Sequence, residues 1–531
     1  MASFERRTII AGNKHIFSAP PRVTLVNAFA SPFDNAVAAA RTCYSSKVIW
    51  PEDVSRDEAS RERRDAIAKS IYEAGHHTTI QHPTFQFVLE NISRQFIWSF
   101  LHSHPFYNSE QVSQRYVSVK PNACFVPTLS EPMQRIYQAA MEAQMTCYQD
   151  LVGCLMPTTS DAFFKVFPAR EKKADQHQGA IKKRAQEVAR YALPIGTFAH
   201  LYHTISGVTL HRYHRICQML DVPYETQAVV QAMVDAVACV DPDFIASFEE
   251  SLPLESTHEY KALAKHGQLG NIRAFRAEFD NDLEGRTSRL CDYSAYGEKN
   301  LARAVRSVLG LTETQMDYRA AIALVLSPVE NPYLSGSLNL NSMGKISRAM
   351  VHVHYTFQKK ISHTADSQDQ RHRTVPGSRP LLAAHYAGGE PDVIVPPLLA
   401  KSPQALDLFM STMRSTWKAI DRLIDGGVEP TDALYLLPNA FPIRFYESGD
   451  LMGLHHKWTT RLCYTAQEEI WQASLDEVQQ VAAVHPTIGR YLQAPCWLRK
   501  EAGIKPLCPE GQRFCGVPVW KLDRSAFERL I

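Results

Sequence analysis

His82-Pro-Thr-Phe85-Gln-Phe87 and, much later in the chain, His352-Val-His-Tyr355-Thr-Phe357 share one pattern: a histidine, an aromatic residue three positions on, and a phenylalanine two after that. The alternation of apolar positions suits a half-buried strand. Self-similarity of this kind decides architecture, so the surroundings of both segments matter. Each is followed by a polar stretch bearing Arg, His and Gln. Further on, Glu187-Val-Ala-Arg190-Tyr-Ala-Leu-Pro194 and Asp432-Ala-Leu434-Tyr-Leu-Leu-Pro438 both have helical spacing that stops at proline. Both Leu-Pro units then lead into an aromatic segment, Phe198-Ala-His-Leu-Tyr202 and Phe441-Pro-Ile-Arg444-Phe-Tyr446. The echoes predict two diverged copies of one α/β unit, at residues 20–250 and 300–495. A polar linker or insertion at 251–299 separates them, and a Cys/Pro-containing tail at 496–531 follows.

Segments 131–155, 180–192, 225–240, 403–425 and 466–484 place apolar residues at three- and four-residue spacing, which predicts helices, while strands are few and short. The expected fold class is therefore α+β (mixed α/β), helix-rich with short antiparallel sheets. With 57 Lys+Arg against 55 Asp+Glu, a formal charge of +2, the chain lacks the excess of a polyanion-coating protein, and no nucleic acid partner is expected. No apolar run reaches the length of a membrane span or a signal peptide, so a soluble cytoplasmic protein is expected. Eleven scattered cysteines do not read as a secreted disulfide framework.

The densest chemical constellation runs from Ser362 to Arg379 and contains Gln368, Arg371-His372-Arg373, and a Pro-Gly turn delivering Ser378 and Arg379. Guanidinium forks bind phosphate bidentately, a histidine between them can donate to a developing anion, and glutamine can pair with a planar heterocycle. The first copy offers Ser93-Arg94-Gln95, His102-Ser-His104, and Glu110-Gln-Val-Ser113-Gln114-Arg115-Tyr116. On an extended segment Ser113 and Arg115 would face one side together.

These runs, with His77-Thr-Thr-Ile-Gln-His82 before them, Ala39-Ala-Arg41-Thr-Cys-Tyr44 earlier still and Ala189-Arg190-Tyr-Ala-Leu-Pro194 after, resemble the flavin-dependent thymidylate synthases. The second copy supplies that family's Arg-His-Arg signature as Arg371-His372-Arg373. The resemblance implies two thymidylate synthase-like domains in tandem, forming a homodimer that amounts to a pseudo-tetramer of domains. It implies FAD as cofactor, NADPH and methylenetetrahydrofolate as co-substrates, and dUMP as substrate. Cofactor contacts would be Arg371, His372, Arg373, His82 and Glu110. Substrate contacts would be Gln95, Ser113, Gln114, Arg115, Arg190, Gln368, Ser378, Arg379 and Arg461, with Arg461, Ser378 and Ser113 nearest the chemistry. The family's glutamine matches Gln95, with Gln368 as the second-copy counterpart, whereas Leu434 stands at the position of Arg190 and Cys217 near that of Arg461.

The losses look complementary. If sites form across copies, Gln95 and Arg190 would meet Ser378, Arg379 and Arg461, while Ser113 and Arg115 with Gln368 and Arg371 would form a poorer site. Half the sites would then be competent. Two other functions fit the same residues: a related flavin- and folate-dependent modification of another uracil nucleotide, or an inactive flavin- or nucleotide-binding scaffold. In the tail, Cys496, Cys508 and Cys515, with Cys463 or His485 as a fourth group, leave metal binding open, because the tight Cys-x2–4-Cys knuckle of structural zinc is missing.

Overall fold

The computed structural model describes residues 4–267, 270–523 and 529–531. Its first sheet has five strands, β1 (Arg7–Ile10), β2 (Arg22–Ala28), β3 (Thr84–Ser93), β4 (Asn108–Gln111) and β5 (Phe198–Ser206), in the order β1-β2-β3-β5-β4. The second has β6 (Ser288–Tyr293), β7 (His354–Ser362), β8 (Gly377–Ser378) and β9 (Pro442–Asp450), in the order β6-β7-β9-β8. All pairings are antiparallel, and β2-β3-β5-β4 repeats as β6-β7-β9-β8. The chain is a tandem α+β protein, and the two histidine-led segments open its two central strands.

The helices that carry the argument are α1 (Glu131–Val166), α2 (Ala174–Ala189), α3 (Gly207–Arg215) and α4 (Pro223–Ala238) in the first half. In the second half they are α5 (His363–Asp369), α6 (Pro403–Asp425), α7 (Leu451–Arg461) and α8 (Glu468–Val484), of which α7 and α8 correspond by register to α3 and α4. Helix α1 runs past the expected end at 155 because Pro157 is tolerated inside it; the carbonyl its ring crowds belongs to Gly153, which has open space around it. The stretch 251–299, expected as a linker, holds the second sheet's edge strand β6, paired with β7 from Ser288↔Lys359 to Tyr293↔Tyr355. Its charged residues disguise it, as suits an edge strand with one open side.

The halves share a core. Ile361, Phe409, Trp417 and Leu436 from the second pack in one buried cluster with Phe96, Leu151, Ile195 and Leu201 from the first. At its centre the two Leu-Pro units cross antiparallel: Ile195 N donates to Leu437 O (2.8 Å), and Asn439 N to Leu193 O (2.7 Å). Gly196 sits at this crossing, where a Cβ would meet Tyr435 Cβ and O at 3.2 Å. Two matching latches flank the crossing. Ser93 donates from N and Oγ to Glu225 (both 2.6 Å), which also accepts from Tyr435 of the other half (2.8 Å). Ser362 donates in the same way to Glu469 (2.5 and 2.6 Å), which accepts from Tyr191 (2.5 Å). Each serine also caps the short helix that follows it, accepting from Phe96 N or Ala365 N.

Candidate functional site

Because β3 and β7 end at those capped serines, the short helices after them meet face to face across the halves. His363 and Gln95 are hydrogen-bonded at 3.0 Å, Trp98 Nε1 donates to Asp366 (2.7 Å), and Gln370 Nε2 to Trp98 O (3.1 Å). Arg373 reaches over to donate to Tyr107 O, and to Asn108 Oδ1 at 3.2 Å. This interleaving sets the Arg371–Arg373 turn of the second half against the first.

Beside it, arginines from both halves converge. Arg115 donates to Thr465 O (2.8 Å) and pairs with Glu187 (2.8 Å). Arg190 Nε donates to Glu187 O (3.2 Å), and Asn439 Nδ2 ties the Arg190 carbonyl (3.0 Å) to Gln114 Oε1 (3.1 Å). From the second half, Arg461 donates to His372 Nε2 (2.9 Å) and Gln368 O (2.8 Å). Gln368 Nε2 in turn donates to Gln467, and Gln467 Nε2 to Tyr191 OH (2.7 Å).

Charge crowding is the defining property of this place. Burial, aided by Arg190 and Arg371, pushes Arg94 down to about 9, and burial with Arg371 and Arg115 pushes Arg461 down to about 10. Arg190 is lowered as well, by burial and then by Arg115, against the pull of Glu187. Burial would raise the Glu187 carboxyl, yet Arg115, Arg184 and Arg190 together hold it below its ordinary value. His372 is kept neutral by burial and by the Arg461 guanidinium aimed at its ring nitrogen. Three buried donors here, Arg94 Nε, Arg190 Nη2 and Gln114 Nε2, have no protein partner among the described residues. Each such orphan costs about 1–3 kcal/mol. Guanidiniums held together with donors left open form a cradle for an anion that brings further acceptors.

The pseudo-equivalent place in the other direction lacks these arginines. Strand and helix register put His102, Cys217 and Leu434 where Arg371, Arg461 and Arg190 stand. Arg379 is held bidentately by Asp366 (2.8 Å twice) and lies over Phe445. Ser378 is an exposed edge-strand residue whose Oγ donates to Tyr446 O (3.4 Å). The expected grouping is thereby corrected: Arg190 and Arg461 are linked through Arg115, which interacts with both, while Arg379 is taken up by Asp366 and Ser378 by the Tyr446 carbonyl. The reason is Asp366, whose first-half counterpart is Ile97 and which captures Arg379 in place.

Other expectations shift too. Ser113 and Arg115 lie in a turn, with Ser113 Oγ accepting Arg115 N (3.3 Å), and do not share a strand face. Thr364, not Gln368, occupies the position of Gln95; Gln368 stands one helical turn on. Glu110 is exposed on β4, two residues beyond the Asn108 that Arg373 contacts. His82 is exposed at the opening of β3, roughly 30 Å along the strand from Ser93. Cys463, Cys496, Cys508 and Cys515 are free thiols; burial, and after it the neighbouring thiols, raises Cys496, Cys508 and Cys515, and among the described residues no group of His, Cys, Asp and Glu is arranged to hold a metal. Among the described residues no helix is long and apolar enough to cross a membrane. Sequence reasoning passed over Asn439 and Gln467; the first follows a Leu-Pro unit directly, which was the available signal.

A family model described as thymidylate synthase complementing protein matches residues 24–243 and 290–487. The flavin-dependent thymidylate synthase of Nitratidesulfovibrio vulgaris is 29% identical over 231 residues, 43% of this chain and 86% of the relative. That of Geobacter sulfurreducens is 29% identical over 167 residues, 31% of this chain and 69% of the relative. Among solved structures, the UMP/dUMP methylase PolB from Streptomyces cacaoi bound with 5-Br dUMP aligns at 17% identity over 43% of this chain and 93% of that one, with a TM-score of 0.30, too low to bear on fold or function.

Proposed function

The chain belongs to the thymidylate synthase complementing protein family, and from that premise we propose that it catalyses FAD-dependent reductive methylation of dUMP to dTMP with methylenetetrahydrofolate and NADPH, at one composite site per chain. The observation that carries the reading is the buried cradle of Arg115, Arg190 and Arg461 with the open donors Arg190 Nη2 and Gln114 Nε2. In this reading Arg115 and Arg190 hold the nucleotide phosphate, whose oxygens would accept from the open Arg190 Nη2. Gln114 and Gln368 bind the sugar and pyrimidine edges. Arg461, oriented by His372 and the Gln368 carbonyl, stabilises negative charge on the uracil ring and so makes its carbon more nucleophilic.

The residues fit the flavin. Arg371 is exposed and makes no ion pair among the described residues, and beside it Tyr107 OH and His102 Nδ1 are buried without partners. Arg371, His372 and Arg373 would hold it, with Glu110 at the rim. When bound, FAD supplies the hydride chemistry, taking reducing equivalents from NADPH. His82 precedes by four residues the Gln86 that register sets across β5 from Asn108, and its part as a flavin contact, like the homodimer, rests on the family resemblance.

The test is anaerobic addition of NADPH to the flavin-loaded protein, with and without dUMP. Flavin bleaching that dUMP accelerates is the expected result; a protein that neither retains FAD nor oxidises NADPH would overturn the reading. Arg371→Ala should lose bound flavin, whereas His104→Ala, whose ring is engaged with Tyr213 OH (2.8 Å), should keep it.

A further inference from the structure

Five ionisable side chains lie fully buried beneath the His372–Arg461 pair. Lys359 of β7 contacts Asp369 (2.7 Å), Glu447 (3.1 Å) and Glu477 (3.0 Å), and Lys457 of α7 contacts Asp369 (3.0 Å) and Glu447. Glu477 also accepts from Trp458 Nε1 (2.6 Å) and Ser288 Oγ (3.0 Å). Asp369 Oδ1 and Glu447 Oε1 have no partner among the described residues. Three carboxyl groups and two ammonium groups share a place where each ion costs several kcal/mol to desolvate, and burial together with Asp369 raises the Glu447 carboxyl above its ordinary value.

The fold does not require this. Register places Leu89, Phe100, His203, Tyr213 and Met233 at the five corresponding positions of the first half, and all are buried. The first half thus builds the same sheet and helices without a buried charge network, and it is also the half that lacks the Arg-His-Arg turn and a counterpart of Arg461.

The network is joined to the site at two points. His372 N donates to Asp369 O (3.1 Å), and Arg461 lies one turn after Lys457 in α7. We propose that the quintet is a positioning device for Arg461, anchoring both partners of the Arg461–His372 hydrogen bond, His372 through Asp369 and Arg461 through Lys457 of the same helix; this rests on reading Arg461 as part of the nucleotide site. The groups facing Arg461 are Arg371 and His372 from the turn, Asp369 from α5, Arg115 from the first half, and His456 and Lys457 on its own helix. Asp369 alone among these raises the Arg461 pKa against burial and against Arg371 and Arg115, leaving it at about 10.

The experiment is calorimetric titration of the full chain with dUMP at neutral pH, in wild-type and Arg461→Ala backgrounds. Asp369→Asn should weaken binding about tenfold in the wild-type background and leave it unchanged in the Arg461→Ala background, because its effect passes through Arg461. Glu477→Gln, at the far end of the network, should act the same way and more weakly. Equal weakening in both backgrounds, or no weakening in any variant that folds, would overturn the inference alone. No dUMP binding by wild type would overturn the nucleotide reading and this inference with it.

Discussion

Asp221 is a buried carboxyl whose hydrogen bond comes from across the halves, Leu382 N at 2.9 Å, and burial pushes it from 3.8 up to about 7. In the unfolded chain it ionises near 3.8, so between there and about 7 the folded chain holds a proton that the unfolded chain has released. Stability therefore falls as pH rises through that window, by about 1.4 kcal/mol per unit for this one group, and levels off above it. Asp221→Asn should remove this slope and raise the melting temperature above neutral pH; equal melting curves for the two proteins from acid to neutral pH would refute it. At the site, Arg190→Ala should weaken dUMP binding by about 2 kcal/mol, roughly thirtyfold, since a charged hydrogen bond to the phosphate is lost. Cys217→Arg should bind no additional nucleotide, because Arg379 stays fixed on Asp366 in the pseudo-equivalent place. Individual residues were unevenly legible in the sequence. Arg371, Arg461 and Arg190 stand out by motif, and Lys359 carries a signal of a different kind: with Tyr355, Phe357 and Ile361 it falls on the inward phase of its strand. The capture of Arg379 by Asp366 had no such signal, since it depends on where the second half's turn lands in space.

Among elements, the two latches offer a controlled pair. Tyr435→Phe and Tyr191→Phe each delete one hydrogen bond to a buried carboxylate and should each cost about 2 kcal/mol of unfolding free energy by chemical denaturation. Only Tyr191 OH also accepts from Gln467, which holds Gln368, so Tyr191→Phe should weaken dUMP binding as well while Tyr435→Phe should not. Equal binding by both variants would contradict the chain of contacts traced from Tyr191 to the cradle. Element order was the most legible level: both histidine-led strands, both Leu-Pro units and the five helices have the expected type, because period-two and period-3.6 patterns report burial directly. Boundaries were less so. Strand β6 escaped notice because an edge strand with one open side can carry Arg289 and Asp292 without breaking the sheet.

At the scale of the whole molecule, tandem duplication has let two equivalent halves diverge around one crossing point. The shared core and the antiparallel Leu-Pro contact keep the pseudo-symmetric frame, and the chemistry has collected on one side of it. The missing arginines made an asymmetry between the halves legible in the sequence; which of the remaining residues stand together was not legible, because that depends on how the chain crosses itself. The central claim is therefore one of stoichiometry. Calorimetric titration of the flavin-loaded protein with dUMP should give one nucleotide bound per chain, with Arg190→Ala and Arg461→Ala each weakening that single event. Two nucleotides per chain, or one that both substitutions leave untouched, would contradict the account.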